Sequence, residues 1–235
     1  MIKAILFDLD GTLLSMNVKQ YVTLYTETLS AKFATKGFDP QLIAKVVMDS
    51  TKIMFTNDGS KTNEEVFWSV FEKETKIKKD SIIHLVKEYY DHEFNITKKA
   101  CNKFNESKLI IDYLKTKDYK LILATNPLFP KEATYKRVEW AGLHYTDFDY
   151  ITTYENSSFT KPNPLYFKEI LDKLNLKINE VIMIGNNLIE DGAITKLNGK
   201  FAIITNEMEN KDTTIENYIF KGNLNEFYSY IKENY

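Results

Sequence analysis

Two carboxylates stand two residues apart at the end of an apolar run, in Ile5-Leu6-Phe7-Asp8-Leu9-Asp10-Gly11-Thr12. Short apolar runs bounded by turn residues read as buried strands, so Ile2–Leu9 is expected to be one. Side chains alternate along a strand, so residues two apart face the same way. Asp8 and Asp10 should therefore share a side, and Gly11 permits the sharp turn that follows. In parallel α/β sheets the C-terminal end of a strand is where ligands bind. Two acids placed there repel each other unless a cation joins them. A hard, oxygen-preferring ion such as Mg2+ suits that role. A solvated Asp-x-Asp-Gly turn is the plainer alternative. Strand, paired acids, glycine and threonine in that order argue against it.

This segment resembles the first motif of the haloacid dehalogenase-like (HAD) hydrolase superfamily, three apolar residues followed by Asp-x-Asp-Gly-Thr. The resemblance implies that Asp8 is a nucleophile forming an aspartyl-phosphate and that Asp10 is a general acid and base. The chemistry agrees. A carboxylate can carry a phosphoryl group covalently. A neighbouring acid can protonate the leaving oxygen and later deprotonate the attacking water.

Three further segments resemble the remaining motifs. Leu121-Ile122-Leu123-Ala124-Thr125-Asn126 is an apolar strand ending in a hydroxyl. Thr125, with Asn126 and the adjacent N–H groups, is expected to donate to a phosphoryl oxygen. Thr160-Lys161-Pro162-Asn163-Pro164 resembles a Lys-Pro-x-Pro motif. Lys161 would neutralise nucleophile and phosphate as charge moves. Val181–Asp191 resembles the fourth motif, where the family usually has Gly-Asp-Ser-x-x-x-Asp holding Mg2+. Asp191 matches the second acid, whereas Asn186 stands in place of the first. An amide oxygen can bind Mg2+ but brings no charge. The metal set implied is therefore Asp8, Asp10, Asn186 and Asp191, with weakened affinity unless Glu190 compensates. Glu190 is expected to point to solvent.

The elements that must position these residues alternate. Helices are expected at Glu106–Thr116, Lys131–Ala141, Pro164–Leu174, Asp191–Leu197 and Leu224–Tyr230, with strands at Tyr119–Ala124, Tyr150-Ile151, Val181–Ile184 and Phe201–Ile204. Alternation of this kind implies a parallel sheet with right-handed crossovers. Between the first strand and this region lie apolar residues at helical spacing over Met16–Phe33, Gln41–Phe55, Asn63–Thr75 and Ser81–Phe94. Breaks fall at Gly37–Pro40 and Asn57–Ser60. A helical insert after the first strand resembles the cap of C1-capped HAD members. The expected fold class is α/β, a Rossmann-like parallel sheet core (1–15 and 96–235) with an inserted helical cap domain (16–95). Such a cap closes over a site and excludes water.

Composition sets the outer bounds. The 235 residues are 43% hydrophobic and 27% charged, ordinary for a globular chain. A net charge of −2 gives no argument for nucleic acid or an anionic membrane as partner. Arg137 is the sole arginine, so phosphate recognition is expected to fall to lysine, backbone N–H groups and metal. A single cysteine, Cys101, excludes an internal disulfide and fits a reducing cytoplasm. No apolar run reaches the ~18–20 residues of a membrane span.

Dehalogenases of the family lack the second acid of the first motif, so Asp10 favours phosphoryl transfer. The leading expectation is a Mg2+-dependent phosphatase of a small phosphorylated metabolite, similar to phosphoglycolate phosphatases and beta-phosphoglucomutase-like members, acting as a monomer. The alternatives are a phosphomutase of sugar phosphates and a catalytically degenerate HAD-fold binding protein. Substrate choice is expected in the cap and the loop after Asp10, at Ser15, Asn17, Tyr21 and Phe55–Asn63, with Tyr21, Tyr25 and Phe55 weighted toward cap core. The Asn126-Pro127 and Phe129-Pro130 pairs are further candidates to face substrate.

Overall fold

The computed structural model describes residues 1–235. Six parallel strands form the sheet, in the order β5-β4-β1-β6-β7-β8. They are β1 (Ala4–Phe7), β4 (Lys120–Leu123), β5 (Tyr150–Ile151), β6 (Val181–Gly185), β7 (Lys200–Ile204) and β8 (Phe220–Gly222). β1 reads as an unbroken apolar run because both faces of the sheet are covered. Ile5 and Phe7 join a core with Leu121, Leu123, Ile182 and Ile184 on one face. Ala4 and Leu6 join Ile122, Met183, Tyr166 and Phe167 on the other.

Register explains the site. Phe7 lies level with Leu123 on one neighbour and Ile184 on the other. The next residues along, Asp8, Ala124-Thr125 and Gly185-Asn186, therefore leave the sheet together at one edge. The Asp8 N–H donates to the Ile184 carbonyl at 2.9 Å and the Ala124 N–H to the Phe7 carbonyl at 2.7 Å. The chain runs from β1 to β4 on one side and later to β6 on the other, so this edge is a topological switch point, where α/β sheets bind ligands.

Helices α5 (Asn105–Lys115), α6 (Lys131–Trp140), α7 (Pro164–Leu174) and α8 (Leu224–Asn234) accompany the sheet. α1 (Val18–Ala34), α2 (Pro40–Met54), α3 (Asn63–Thr75) and α4 (Lys79–Asp91) form the helical block after β1. Their starts are chemically set. Asn17 caps α1, and Asp39 caps α2 with Pro40 behind it. Thr62 and Glu65 form a capping box on α3.

The block is anchored at two places. A two-stranded antiparallel ribbon, β2 (Leu14–Met16) with β3 (Cys101–Lys103), joins it to the sheet. At the opposite side, the N-terminus of α3 docks on loops of the core. The Asn63 N–H donates to the Ser157 carbonyl at 2.8 Å and the Glu64 N–H to the Tyr154 carbonyl at 2.9 Å.

Several expectations change in detail. The helix expected from Met16 begins at Val18, because Leu14–Met16 pairs as the ribbon instead. The helix expected to reach Phe94 ends at Asp91, and a 3-10 stretch follows over Glu93–Ala100. Asp191–Leu197 is also 3-10 rather than α-helical. The ribbon and β8 are three residues each, too short to show a period of two. No helix is long and apolar enough to cross a membrane.

Candidate active site

Asp8 is buried and held from two sides. Lys161 Nζ donates to its Oδ1 at 2.8 Å, and Thr12 Oγ1 lies 3.2 Å from its Oδ2. Lys161, itself fully buried, also donates to Asp191 Oδ1 at 2.6 Å. One ammonium thus balances two carboxylates. Burial works against the Lys161 charge, but Asp191 and Asp8 outweigh it, so the ammonium stays protonated well beyond its ordinary range. Burial, with the Asp8 charge, pushes Asp191 upward, while Lys161 pulls it down. The loop carrying Lys161 is fixed by Asn163, whose side chain caps α7, and by Pro164 in its first turn.

Asp10 has a partner that the sequence reading passed over. Arg137, on α6 and almost fully buried, donates to Asp10 Oδ2. Its guanidinium also packs over the Phe129 ring at 4.8 Å. Arg137 is therefore committed to holding Asp10, not to the surface. Its being the sole arginine in a lysine-rich chain was the available signal, since a planar, permanently charged fork suits a buried carboxylate better than an ammonium does. The other oxygen, Asp10 Oδ1, is buried without a hydrogen-bond partner. Burial pushes Asp10 up to about 6, against the pull of Arg137.

Asn186 presents an oxygen to this centre. Its Nδ2 donates to the Glu207 carbonyl at 2.7 Å, which leaves Oδ1 on the side of Thr12 Oγ1, 2.9 Å away. Glu207 also receives the Ser15 hydroxyl at 2.5 Å and the Met16 N–H at 2.9 Å. It ties the ribbon to the site, another role not read from the sequence. Gly11, at φ +83°, is required here: a Cβ on it would lie 2.2 Å from Asn186 Nδ2. Gly185 gives similar room, since its Cβ would meet Asp191 Oδ2 at 2.1 Å.

The solvent orientation expected for Glu190 is not what the fold adopts. Asn126 Nδ2 donates to Glu190 Oε2 at 3.0 Å, and Glu190 lines the cavity beside Asp191. Burial raises its pKa. Asn126 Oδ1 in turn accepts the Lys161 N–H at 3.2 Å, so one amide links the second, third and fourth motifs. Thr125 is placed by its carbonyl, which accepts from Thr152 Oγ1 at 2.6 Å and the Tyr166 hydroxyl at 2.9 Å. Cys101 is a buried free thiol that burial pushes up to about 12, outside the range of a nucleophile.

No three His, Cys, Asp or Glu side chains converge closely enough to hold a metal by themselves. The donor set nonetheless fits Mg2+. Asp8, Asp191 and Asn186 bring hard oxygen donors to the wall of one cavity, and Mg2+ commonly takes one or two carboxylates plus water and substrate phosphate. Asp10 offers only Oδ1, because Arg137 holds its other oxygen.

These groups open onto a cavity of about 360 Å³ between the sheet edge and the helical block. Asp8, Asp10, Thr125, Asn126, Asn186 and Asp191 all line it. Of the expected substrate contacts, Tyr21, Asn126, Phe129 and Pro130 reach this cavity, whereas Ser15, Asn17, Pro127 and the whole of Phe55–Asn63 do not; Tyr25, weighted toward cap core, lines it as well. Phe55 is exposed.

The profile of the haloacid dehalogenase-like hydrolases matches residues 5–204. A glyceraldehyde 3-phosphate phosphatase from Methanothermobacter thermautotrophicus is 31% identical over 102 residues, 43% of this chain and 43% of that protein. The match thus spans less than half the length of that relative. Among solved structures, a HAD phosphatase from Thermococcus onnurineus superposes with a TM-score of 0.59 at 19% identity, covering 98% of each chain. The L-2-haloacid dehalogenase of Xanthobacter autotrophicus superposes at 0.58 with 13% identity, covering 100% of each. Phosphatase and dehalogenase share this fold, so the fold alone does not choose between their chemistries. With the profile covering most of its length and the four strand-end motifs gathered at one sheet edge, the chain belongs to the haloacid dehalogenase-like hydrolase family.

Proposed function

We propose that this hydrolase is a Mg2+-dependent phosphatase that releases phosphate from a small phosphorylated metabolite through an aspartyl-phosphate on Asp8. One observation carries the reading: Asp8 sits between the Lys161 ammonium and the Thr12 hydroxyl, in the wall of a cavity that Asp10, whose Oδ1 has no partner, also lines.

Bound at Asp8, Asp191 and Asn186, Mg2+ would supply charge neutralisation for nucleophile and phosphoryl group. The rest falls to side chains. Asp8 attacks phosphorus in line, forming a P–O bond to its carboxylate as the bond to the leaving oxygen breaks. Lys161 holds the incoming carboxylate and meets the charge that spreads over the phosphoryl oxygens. Thr125 and Asn126 line the wall that phosphate would face. Asp10, raised to about 6, carries a proton often enough near neutral pH to give it to the leaving alcohol. As a carboxylate it then takes a proton from the water that attacks the aspartyl-phosphate. Arg137 keeps Asp10 ionisable despite burial and fixes its direction. The helical block, pinned by the ribbon and by Asn63, limits water at the centre.

The test is phosphate release from p-nitrophenyl phosphate with Mg2+ and with EDTA, for the native chain and Asp8→Asn. The reading predicts activity that needs both metal and Asp8. Metal-independent release, or release that survives Asp8→Asn, would rule it out.

A further inference from the structure

The cavity has two unlike ends. Every charged side chain lining it belongs to the core: Asp8, Asp10, Glu190, Asp191 and Glu209. The helical block contributes no charged side chain and no amide. Along α1, Tyr21, Tyr25, Leu29 and Phe33 recur every four residues and make one continuous wall. From the first to the last is twelve residues, about 18 Å of helix axis. Val47 of α2 and Phe71 of α3 also line the chamber. All six are at least nine-tenths buried; Tyr21 stacks on Tyr25 and Phe33 packs edge-on against Phe71, and each also presents surface to the cavity.

The polar atoms in this chamber are few. The Tyr25 and Tyr90 hydroxyls satisfy each other at 3.0 Å. Two buried polar atoms on lining residues of the helical block have no partner, the Tyr21 hydroxyl and the Trp68 indole N–H, and the Tyr21 hydroxyl stands at the end of the wall nearest the catalytic acids. A sugar or nucleotide would bring several hydroxyls or ring nitrogens into a chamber that can pair hardly any of them. Unpaired buried polar groups are strongly penalised, whereas apolar surface is favoured there.

We infer that the group esterified to phosphate is apolar: the substrate is the phosphate monoester of a long aliphatic or aromatic alcohol, with the phosphate at Asp8 and the hydrocarbon laid along α1 toward Phe33. This rests on the phosphatase reading and names its substrate class. At about 360 Å³ the cavity lies within the size range of small-molecule sites. The Tyr21 hydroxyl donates to the bridging ester oxygen or to a single oxygen close to it.

The experiment compares kcat/KM for ethyl, butyl, hexyl and octyl phosphate with glycerol 3-phosphate and glucose 6-phosphate, with acetyl phosphate as a control that needs no chamber. Burying one methylene is worth roughly fourfold in affinity. The inference predicts a rise of at least about 100-fold from ethyl to octyl phosphate, with both polar esters below butyl phosphate. Val47→Trp, which fills the chamber, should move the optimum to a shorter chain. Calorimetry of octyl phosphate on Asp8→Asn gives a readout that does not need turnover. It should show binding that tightens with chain length and a negative heat-capacity change.

Hydrolysis of acetyl phosphate with no chain-length dependence, or with a preference for glucose 6-phosphate, would overturn the inference and leave the phosphatase reading standing. No hydrolysis of any ester, with chain-length-dependent binding intact, would overturn the phosphatase reading and keep an apolar ligand. Absence of that binding would overturn the inference directly.

Discussion

Replacing Arg137 by methionine should destabilise the metal-free protein strongly at pH 8 and little at pH 5. Asp10 has a folded-state pKa of about 6, raised from the ordinary carboxylate value by burial and held down by Arg137. A carboxyl raised in the folded state contributes stability below its unfolded pKa and loses it as pH rises through the folded value. Without Arg137, the buried carboxylate escapes mainly by taking up a proton. Starting from a pKa of about 6, that uptake costs about 1.4 kcal/mol per pH unit, so ~3 kcal/mol at pH 8 and close to nothing at pH 5. The Asp10 side chain is 25% exposed, so solvent screening takes the figure toward the low end, about 2–3 kcal/mol. Methionine fills much of the space of the guanidinium stem and removes a buried cation, so repacking adds less than about 1.5 kcal/mol. For a chain of this length the loss at pH 8 corresponds to a fall in Tm of roughly 4–12 °C. Urea unfolding in EDTA at the two pH values, native against Arg137→Met, reads it. An equal loss at both values would mean Arg137 acts by packing alone and would refute the argument. So would no loss at pH 8.

Other changes probe the same centre. Lys161→Met should lower kcat by about 10²–10³-fold, as expected when a charge-stabilising group is lost. It should also tighten Mg2+ binding in calorimetry, because two carboxylates lose their ammonium. Asn186→Asp should strengthen Mg2+ binding, yet destabilise the metal-free protein by about 1–3 kcal/mol, because a carboxylate oxygen would face the Glu207 carbonyl now reached by Nδ2. Added Mg2+ should restore that loss in a thermal melt. Gly11→Ala meets both a positive φ and the 2.2 Å approach to Asn186, and should cost at least about 2 kcal/mol along with most of the activity.

The parts legible in the sequence were those with a strong local signature. β1, β4, β6 and β7 announced themselves because burial on both faces demands continuous apolar residues. The start of α3 was readable because Thr62 and Glu65 form a capping box there. Asp8, Thr125 and Asn186 were read as strand-end residues, and register sets them side by side; Lys161 and Asp191 come from the loop before α7 and the 3-10 stretch after β6 and join them through hydrogen bonds. Arg137 was not found, because its role depends on a contact 127 residues away and the α6 sequence carries no clear apolar stripe. Glu190 was misjudged for a related reason. Its direction is set by Asn126, 64 residues distant, rather than by its own neighbours. Glu207 lies in a turn with no motif, and only the folded chain shows its hold on Ser15, Met16 and Asn186.

The central claim is that Asp8 carries the phosphoryl group, and it can be tested on the protein itself. The enzyme would be mixed with Mg2+ and excess substrate, quenched in acid, reduced with borohydride and mapped by peptide mass spectrometry. An aspartyl-phosphate is reduced to homoserine, so the account predicts homoserine at position 8 in the native chain and none when substrate is withheld. Unmodified Asp8 during demonstrated turnover, or conversion at another carboxylate, would contradict it.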